Sequence, residues 1–399
     1  MIDMKILIVC QFYYPENFVI SKIAEKLVEF GHDVTVLTGK PNYGYGYILP
    51  EYEHINSEII NGVKVERVNL KPRKQSRISI INNYLSFWKN SKKWVRRCNE
   101  QFDVVYSMSL SPVTILSAGN LYKKKFGVPH VVHCVDLWPE SVLVTHAVNK
   151  KSLTYRILYS WSKKLYSKAD EVLIGSPSFR EYFRDVLKID NIDLEYIPQP
   201  SLVESTELPP FPFDKKYFNI LYCGNLGIIQ EIPTLVEAVK RIKDTNVRFN
   251  VIGMGPYSHY LEDEIKKNGL ENNLVYFGPM PAKQASAYFK GADALYVSLK
   301  DSGYVGKTIP NKLVMSMAFA KPILAMIEGD GKQVLIESDG AVLSSQSVDS
   351  LVEAIKSISM MNKKDLERLG RNNLIYYQDH FTLDRITRQI EEDLFKKFR

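Results

Sequence analysis

Two lysines, Lys307 and Lys312, stand at the mouth of an uncharged stretch in KTIPNKLVMSMAFAKPI, Lys307 to Ile323. Between Leu313 and Ala320 no residue carries a charge. Pro310 suits the first turn of a helix, because its ring fixes φ and its missing N–H is not needed there. Lys321-Pro322 then ends the helix and starts an extended segment. The pattern predicts a helix over about 310–320 with free N–H groups at its start. Such groups beside a lysine make a ready anion site. The competing reading is that both lysines are simply solvated.

Two glycine turns could hold the same kind of ligand. CGNLG (223–227) follows one apolar run and GMGP (253–256) follows the next. Gly224, Gly253 and Gly255 let backbone approach a ligand closely, and exposed N–H groups can hold phosphate. Either turn alone is a weak signal, but on successive strands of one parallel sheet both fall on the same edge. Neither is the dinucleotide GxGxxG fingerprint. In CVDLWPES (134–141), Asp136 is the first carboxylate after an apolar run. An acid at the carboxyl end of a strand suits sugar hydrogen bonding or general acid–base work. The alternative is a helix N-cap for the segment after Pro139. GKPNYGYGY (39–47) offers Asn42 and Tyr43, and its tyrosines can stack on sugar faces; a plain surface loop is the alternative. No HExxH, GxSxG, P-loop or Cys/His cluster is present, which argues against hydrolase, kinase and zinc chemistry. Histidines such as His133 and His259 read as structural.

These candidates need a frame. KILIVC (5–10), DVTVLTG after the Gly31 stop, VKVERVNL, FDVVYSM, PHVVHCV and DEVLIGS are short apolar runs, with helical periodicity between several of them, as at 21–30, 112–126 and 150–168. Strands alternating with helices predict a parallel, doubly wound sheet. PQPSLVESTELPPFPF (198–213) holds five prolines and reads as an interdomain linker. A second α/β series follows, from FNILYCG (218–224) to PILAMI (322–327), with helices at 232–243, 257–268 and 281–290 and polar helices at about 363–378 and 382–397. At 399 residues, 45% hydrophobic and 24% charged, the chain fits two globular domains. The expected division is 1–198 and 199–379, with a helix at about 380–399 a candidate to pack back on the first domain. Ligands in such sheets bind outside the carboxyl ends of the strands, and two domains facing a central cleft would place chemistry there.

The net charge of +7 is unevenly spread. From Lys71 to Arg97 there are nine Lys/Arg, no Asp or Glu, and Ile81, Leu85, Trp88, Trp94 and Val95. Anionic lipid surfaces attract a basic, aromatic-bearing amphipathic segment of this kind. A solvated helix face is the bland alternative, and no nucleic-acid module accompanies the run. No apolar run approaches a membrane span, and the start reads as a first strand rather than a signal peptide. Cys10, Cys98, Cys134 and Cys223 fit no metal spacing and read as reduced thiols of a cytoplasmic protein.

Taken together, QFYYPE (11–16), GHDVTVLTGKPNY (31–43), DLWPES (136–141), GNLGIIQ (224–230), VIGMGP (251–256), IPNKL (309–313) and AFAKPILAMIEG (318–329) resemble the GT-B glycosyltransferases of the retaining family 4. More narrowly, they resemble bacterial O-antigen and capsule transferases of the L-fucosamine (FucNAc) type. The resemblance implies two Rossmann-like domains. It also implies a nucleotide-sugar donor, UDP-linked as first expectation, on the C-terminal domain and an acceptor on the N-terminal domain. It requires no metal and no further cofactor. Many relatives place an Arg and a Lys at the turn after the first strand of the second domain; the matching positions here are Asn225 and Gln230. The family's Glu-x7-Glu motif maps onto Lys307 and Met315, so both glutamates are missing.

The expected activity is transfer of a hexosyl or N-acetylaminosugar group to a lipid-linked saccharide, with retention, for surface polysaccharide. Lys312, with Lys307 as a substitute cation, and the Gly224/Asn225 turn would stabilise the leaving diphosphate. Asp136 would orient or deprotonate the acceptor, with Glu140 nearby. The basic segment 71–97 would hold the protein at the inner face of the plasma membrane. A catalytically silent GT-B partner protein and a sugar-nucleotide 2-epimerase are the alternatives.

Overall fold

The computed structural model describes residues 4–74, 76–144, 148–202 and 207–398. The chain divides into two compact units: Met1–Gln199 with Leu383–Arg399, and Pro200–Thr382.

The first unit runs β1 (Lys5–Val9), α1 (Val19–Glu29), β2 (Asp33–Gly39), β3 (Ser57–Ile60), β4 (Val63–Val68), α2 (Arg77–Arg97), β5 (Val104–Ser109), α3 (Leu116–Phe126), β6 (His130–Cys134), α4 (Glu140–Val144), α5 (Leu153–Tyr166), β7 (Glu171–Ile174), α6 (Phe179–Glu181) and β8 (Asp193–Tyr196). Its eight strands lie in the order β3-β4-β2-β1-β5-β6-β7-β8. All neighbours are parallel except β3 on β4. β1 and β5 sit at the centre in register Ile6↔Val104 to Val9↔Ser107. Residues 104–109 are all buried, because helices cover both sheet faces and leave no polar side for alternation. Helix α1 turns Val19, Ile20, Ile23, Ala24 and Leu27 inward, one stripe at helical spacing.

The second unit runs β9 (Phe218–Cys223), α7 (Ile232–Arg241), β10 (Val247–Ile252), α8 (Ser258–Asn268), β11 (Leu274–Gly278), α9 (Ala282–Gly291), β12 (Ala294–Ser298), α10 (Asn311–Met317), β13 (Ile323–Met326), α11 (Gly329–Ser338), β14 (Ala341–Leu343), α12 (Val348–Ser359) and α13 (Lys363–His380). Its six strands follow the order β11-β10-β9-β12-β13-β14, all parallel. The predicted linker is partly bound to this unit: the Phe211 ring stacks on Tyr288 at 4.0 Å, and its N–H donates to the Ala287 carbonyl at 2.8 Å. The last helix, α14 (Leu383–Phe398), packs on α1 of the first unit.

Each sheet has one place where the strand order reverses: between β1 and β5, and between β9 and β12. Loops leave such a point in opposite directions and open a crevice at the carboxyl ends. The turn CGNLG begins where β9 ends, at the second of these points.

Candidate functional site

In the second unit the two glycine turns are laced together. Gly224 N–H donates to Ile252 O at 2.9 Å and Leu226 N–H to Met254 O at 2.9 Å. Gly224 has φ 152° and Gly253 φ 139°, and a Cβ on Gly253 would lie 1.8 Å from Gly224 O. A Cβ on Gly255 would lie 2.5 Å from Leu226 O. Glycine is required at 253 both for its backbone angle and for this approach.

Lys312 comes to this turn from α10. Its Nζ donates to the Tyr222 hydroxyl at 2.8 Å and lies 4.4 Å from the centre of that ring. The Tyr222 hydroxyl donates in turn to the Asn225 carbonyl at 2.6 Å. A Cβ at Gly224 would meet Lys312 Cε and Nζ at 3.5 Å, so the ammonium flanks the turn. Burial pushes Lys312 down from 10.5 to about 7. Gln230 is buried at the end of the 3-10 turn Ile228–Gln230, just before α7, and its Oε1 has no hydrogen-bond partner. Both this oxygen and Asn225 Nδ2 crowd Gly227, at 2.4 and 2.6 Å from where a Cβ would stand. A buried acceptor without a donor is rare enough to mark a place where a ligand can supply one.

The predicted helix 310–320 is shorter than its sequence pattern. It spans Asn311–Met317, with Pro310 as an extended residue before it, and Ala320 takes a φ of 54° beyond it. A helix of under two turns has little dipole to offer, so the anion reading rests on Lys312 itself. Lys307 ends a 3-10 turn, Gly303–Lys307, is exposed, and lies 5.9 Å from the Tyr304 ring centre. Met315 is half-buried against the apolar cluster around Leu313, Val314 and Met317.

In the first unit, Asp136 follows β6 and is held by hydroxyls. Ser111 Oγ donates to Asp136 Oδ2 at 2.5 Å, Ser141 Oγ donates to Oδ1, and Trp138 Nε1 donates to Ser111 Oγ at 2.8 Å. Ser141 lies inside α4, so the carboxylate binds a side chain of that helix, which differs from an N-cap on its N–H groups. Burial raises the Asp136 carboxyl above its ordinary range, and the surrounding donors offset part of that. Glu140, first residue of α4, accepts from the Tyr155 hydroxyl at 2.8 Å.

Asn42 is fully buried and works inside the protein. Its Oδ1 accepts from Arg73 N–H at 2.9 Å and from Asn83 Nδ2 at 3.0 Å, and its Nδ2 donates to Lys40 O at 2.9 Å. Glu16 accepts from the N–H groups of Asn42 and Tyr43. Asn42, expected at the acceptor, has its amide hydrogen-bonded within the protein, where it pins the loop, and Tyr43 faces outward. The Tyr43 ring is 43% exposed, edged by Phe12 and Phe18, with the Arg73 guanidinium 5.1 Å from its centre.

Tyr222, Ser111, Glu16 and Arg73 were not singled out by type or spacing. Tyr222 lies inside a strand and reads as core; only its pairing with a residue ninety positions away gives it a role. His133 is buried between the Tyr106 hydroxyl and the Ile197 carbonyl, and burial lowers it to about 4, a structural role; His259 is instead exposed on α8. All four cysteines are free thiols. Among the described residues no three His, Cys, Asp or Glu converge as metal ligands.

Two doubly wound α/β units, each with its candidate residues at a sheet's carboxyl edge, make this a GT-B architecture. The fold matches sucrose-phosphate synthase of Thermosynechococcus elongatus (TM-score 0.75, 16% identity, 99% of each chain). It also matches HepE of Anabaena, solved with UDP (TM-score 0.69, 15% identity, 98% of this chain and 100% of that one). Residues 17–200 match the model of the glycosyl transferase 4-like domain, and residues 204–374 match that of glycosyl transferases group 1. The chain belongs to this group 1/4-like glycosyltransferase family. A probable glycosyltransferase of Pseudomonas aeruginosa, WbjE, is 28% identical over 239 residues, 57% of this chain and 58% of that protein, so the match spans well under its whole length.

Proposed function

We propose that this chain is a glycosyltransferase of surface polysaccharide synthesis that moves a sugar from a nucleoside diphosphate to a lipid-linked saccharide of the O-antigen or capsule kind, with retention of configuration. The observation that carries the proposal is the Lys312–Tyr222–Asn225 chain beside the interlocked Gly224 and Gly253 turns. A half-buried ammonium next to a backbone turn at a sheet's switch point suits a diphosphate whose charge grows as the sugar leaves. Gln230 Oε1 is placed to accept from the donor, with Asn225 beside it. Lys307 is an exposed cation for the outer phosphate. UDP is the first donor to test, since HepE was solved with it.

On the first unit, Asp136 orients the acceptor hydroxyl or, as the carboxylate, takes its proton, and its upward shift makes that carboxylate a stronger base. Tyr43 offers an aromatic face to the acceptor sugar, Asn42 holds that loop in shape, and Glu140 supports the turn through Tyr155. The basic segment 71–97 meets the anionic inner face of the plasma membrane; no helix among the described residues is long and apolar enough to cross it. FucNAc transfer is the narrowest form of this reading.

Purified protein incubated with a panel of UDP- and dTDP-sugars and a lipid-linked acceptor is expected to form glycosylated lipid. Absence of both turnover and nucleotide binding defeats the proposal. One observation favours a second reading, a silent GT-B partner protein: Met315 stands where the family keeps a ribose-binding glutamate. Calorimetric silence toward UDP would support it. Product from donor alone would instead reveal the 2-epimerase.

A further inference from the structure

The basic segment is only one part of a larger surface. Helix α2 leaves Ile78 73%, Ile81 55% and Leu85 40% exposed. With Trp88 they fall at steps of three, four and three, one stripe along the helix. Helix α5 leaves Leu153 72%, Ile157 44% and Trp161 40% exposed, at steps of four. Both stripes end at the same place: Trp88 stacks on Trp161 with ring centres 6.3 Å apart. The tryptophans border a groove of about 320 Å³ floored by Leu121 of α3 and Leu165, with Lys92, Lys124, Lys164 and Lys168 around its rim. None of the segments 71–97, 110–126 and 148–168 contains an Asp or Glu.

Such an arrangement is costly for a surface that faces only water. Large apolar side chains at this exposure on two adjoining helices form a patch rather than scattered singles. Positive charge is concentrated here: burial first, then the charges of Arg96 and Lys168, lower Lys92, whose Nζ lies 4.5 Å from the Trp88 ring centre. A partner that supplies many negative charges in a plane, with apolar depth beneath them, relieves both features. A folded protein surface supplies either, rarely both over so wide a face. Tryptophan belongs at the level of lipid headgroups, and lysine stems reach past apolar surface to phosphates.

We infer that α2 and α5 together form a two-helix membrane-docking face for an anionic bilayer, with the Trp88/Trp161 groove and its four lysines at headgroup level. It deepens the membrane reading of segment 71–97 by adding α5 and the α3 end, which bring a second apolar stripe and most of the groove. It does not depend on the donor site of the second unit.

Full-length protein is mixed with vesicles of phosphatidylcholine alone or with phosphatidylglycerol added, and sedimented. The expected result is binding to the anionic vesicles only, lost at high salt, with a blue shift of tryptophan emission. Leu153→Asp with Ile157→Asp is expected to abolish binding while leaving α2 intact. Lys164→Gln and Lys168→Gln are each expected to weaken it roughly fivefold. UDP titration of every variant checks that the protein is folded and separates this inference from the transferase reading. Wild-type protein that binds UDP but no anionic vesicle overturns the inference and leaves that reading standing. Vesicle binding unchanged by the α5 pair overturns it too, by returning the role to α2 alone. Concentration-dependent dimerisation lost in the α5 pair, without vesicle binding, makes the face a protein interface and overturns it as well.

Discussion

Lys312 Nζ rests 2.8 Å from the Tyr222 hydroxyl and 4.4 Å from its ring centre, so the lysine of α10 is bound to the carboxyl end of β9 through an aromatic and a hydroxyl. A neutral partner lets burial dominate and brings Lys312 to about 7. Lys312→Met is expected to weaken UDP binding roughly ten- to hundredfold, the worth of a charge-assisted hydrogen bond. The melting temperature is expected to hold or rise, because a desolvated amine is replaced by an apolar side chain. Calorimetry and thermal melts check the two halves.

The same lysine makes nucleotide binding depend on pH. Free protein above pH 7 holds Lys312 largely neutral, and a bound diphosphate draws a proton onto it. UDP affinity is therefore expected to fall as pH rises above about 7. At pH 8 binding is expected to take up protons, seen as a heat that varies with the buffer's ionisation enthalpy. For stability the sign is separate: between about 7 and 10.5 the unfolded chain holds more protons at this residue, so its contribution improves as pH rises through that window. Lys312→Met is expected to remove both dependences.

Gly253→Ala tests the interlocked turns. A Cβ there meets Gly224 O at 1.8 Å, at a φ of 139°. Backbone strain alone is expected to cost roughly 1–3 kcal/mol, with the clash added. Denaturant melts are expected to show the loss, together with loss of UDP binding.

Met315→Glu places a carboxylate at the position onto which the resemblance maps the second glutamate of Glu-x7-Glu. Met315 is only half-buried, so the new charge can reach solvent or ribose hydroxyls. Nucleotide affinity or preference is expected to change more than stability, as read by calorimetry with UDP, dTDP and GDP. Lost folding with an unchanged nucleotide profile would assign Met315 to the core alone.

The C-terminal helix carries a test of its own. Lys397 pairs with Glu171, with Asp193 at 2.8 Å and with Asp393 at 3.0 Å. Burial first, and then Asp393, raises Glu171 above the ordinary carboxylate range. Its folded pKa lies above its unfolded one, so the stability it contributes is present at low pH and lost as pH rises through the folded value. Glu171→Gln, which cannot ionise, is expected to gain melting temperature over wild type at alkaline pH and little at pH 4.

Local pattern determined much of this protein. Apolar runs such as 5–10 and 218–223 could only be buried strands, and the spacing of Val19, Ile23 and Leu27 could only be the inner stripe of a helix. The two glycine turns were legible because φ near 140–150° is closed to other residues. Lys312 was legible as the cation directly before an uncharged run. Tertiary structure alone decided the rest. Helix α10 stops at Met317, three residues short of the expected end at Ala320, and Ala320 itself takes a φ of 54°. Whether Asn42 faced a ligand or the interior depended on Arg73 and Asn83, distant in sequence. Tyr222 and Lys312, or Trp88 and Trp161, have no signal in common until the sheet and the helices bring them together. Periodicity reports which face of an element is apolar; only the fold reports which two faces meet, since long-range contacts leave no mark on local spacing.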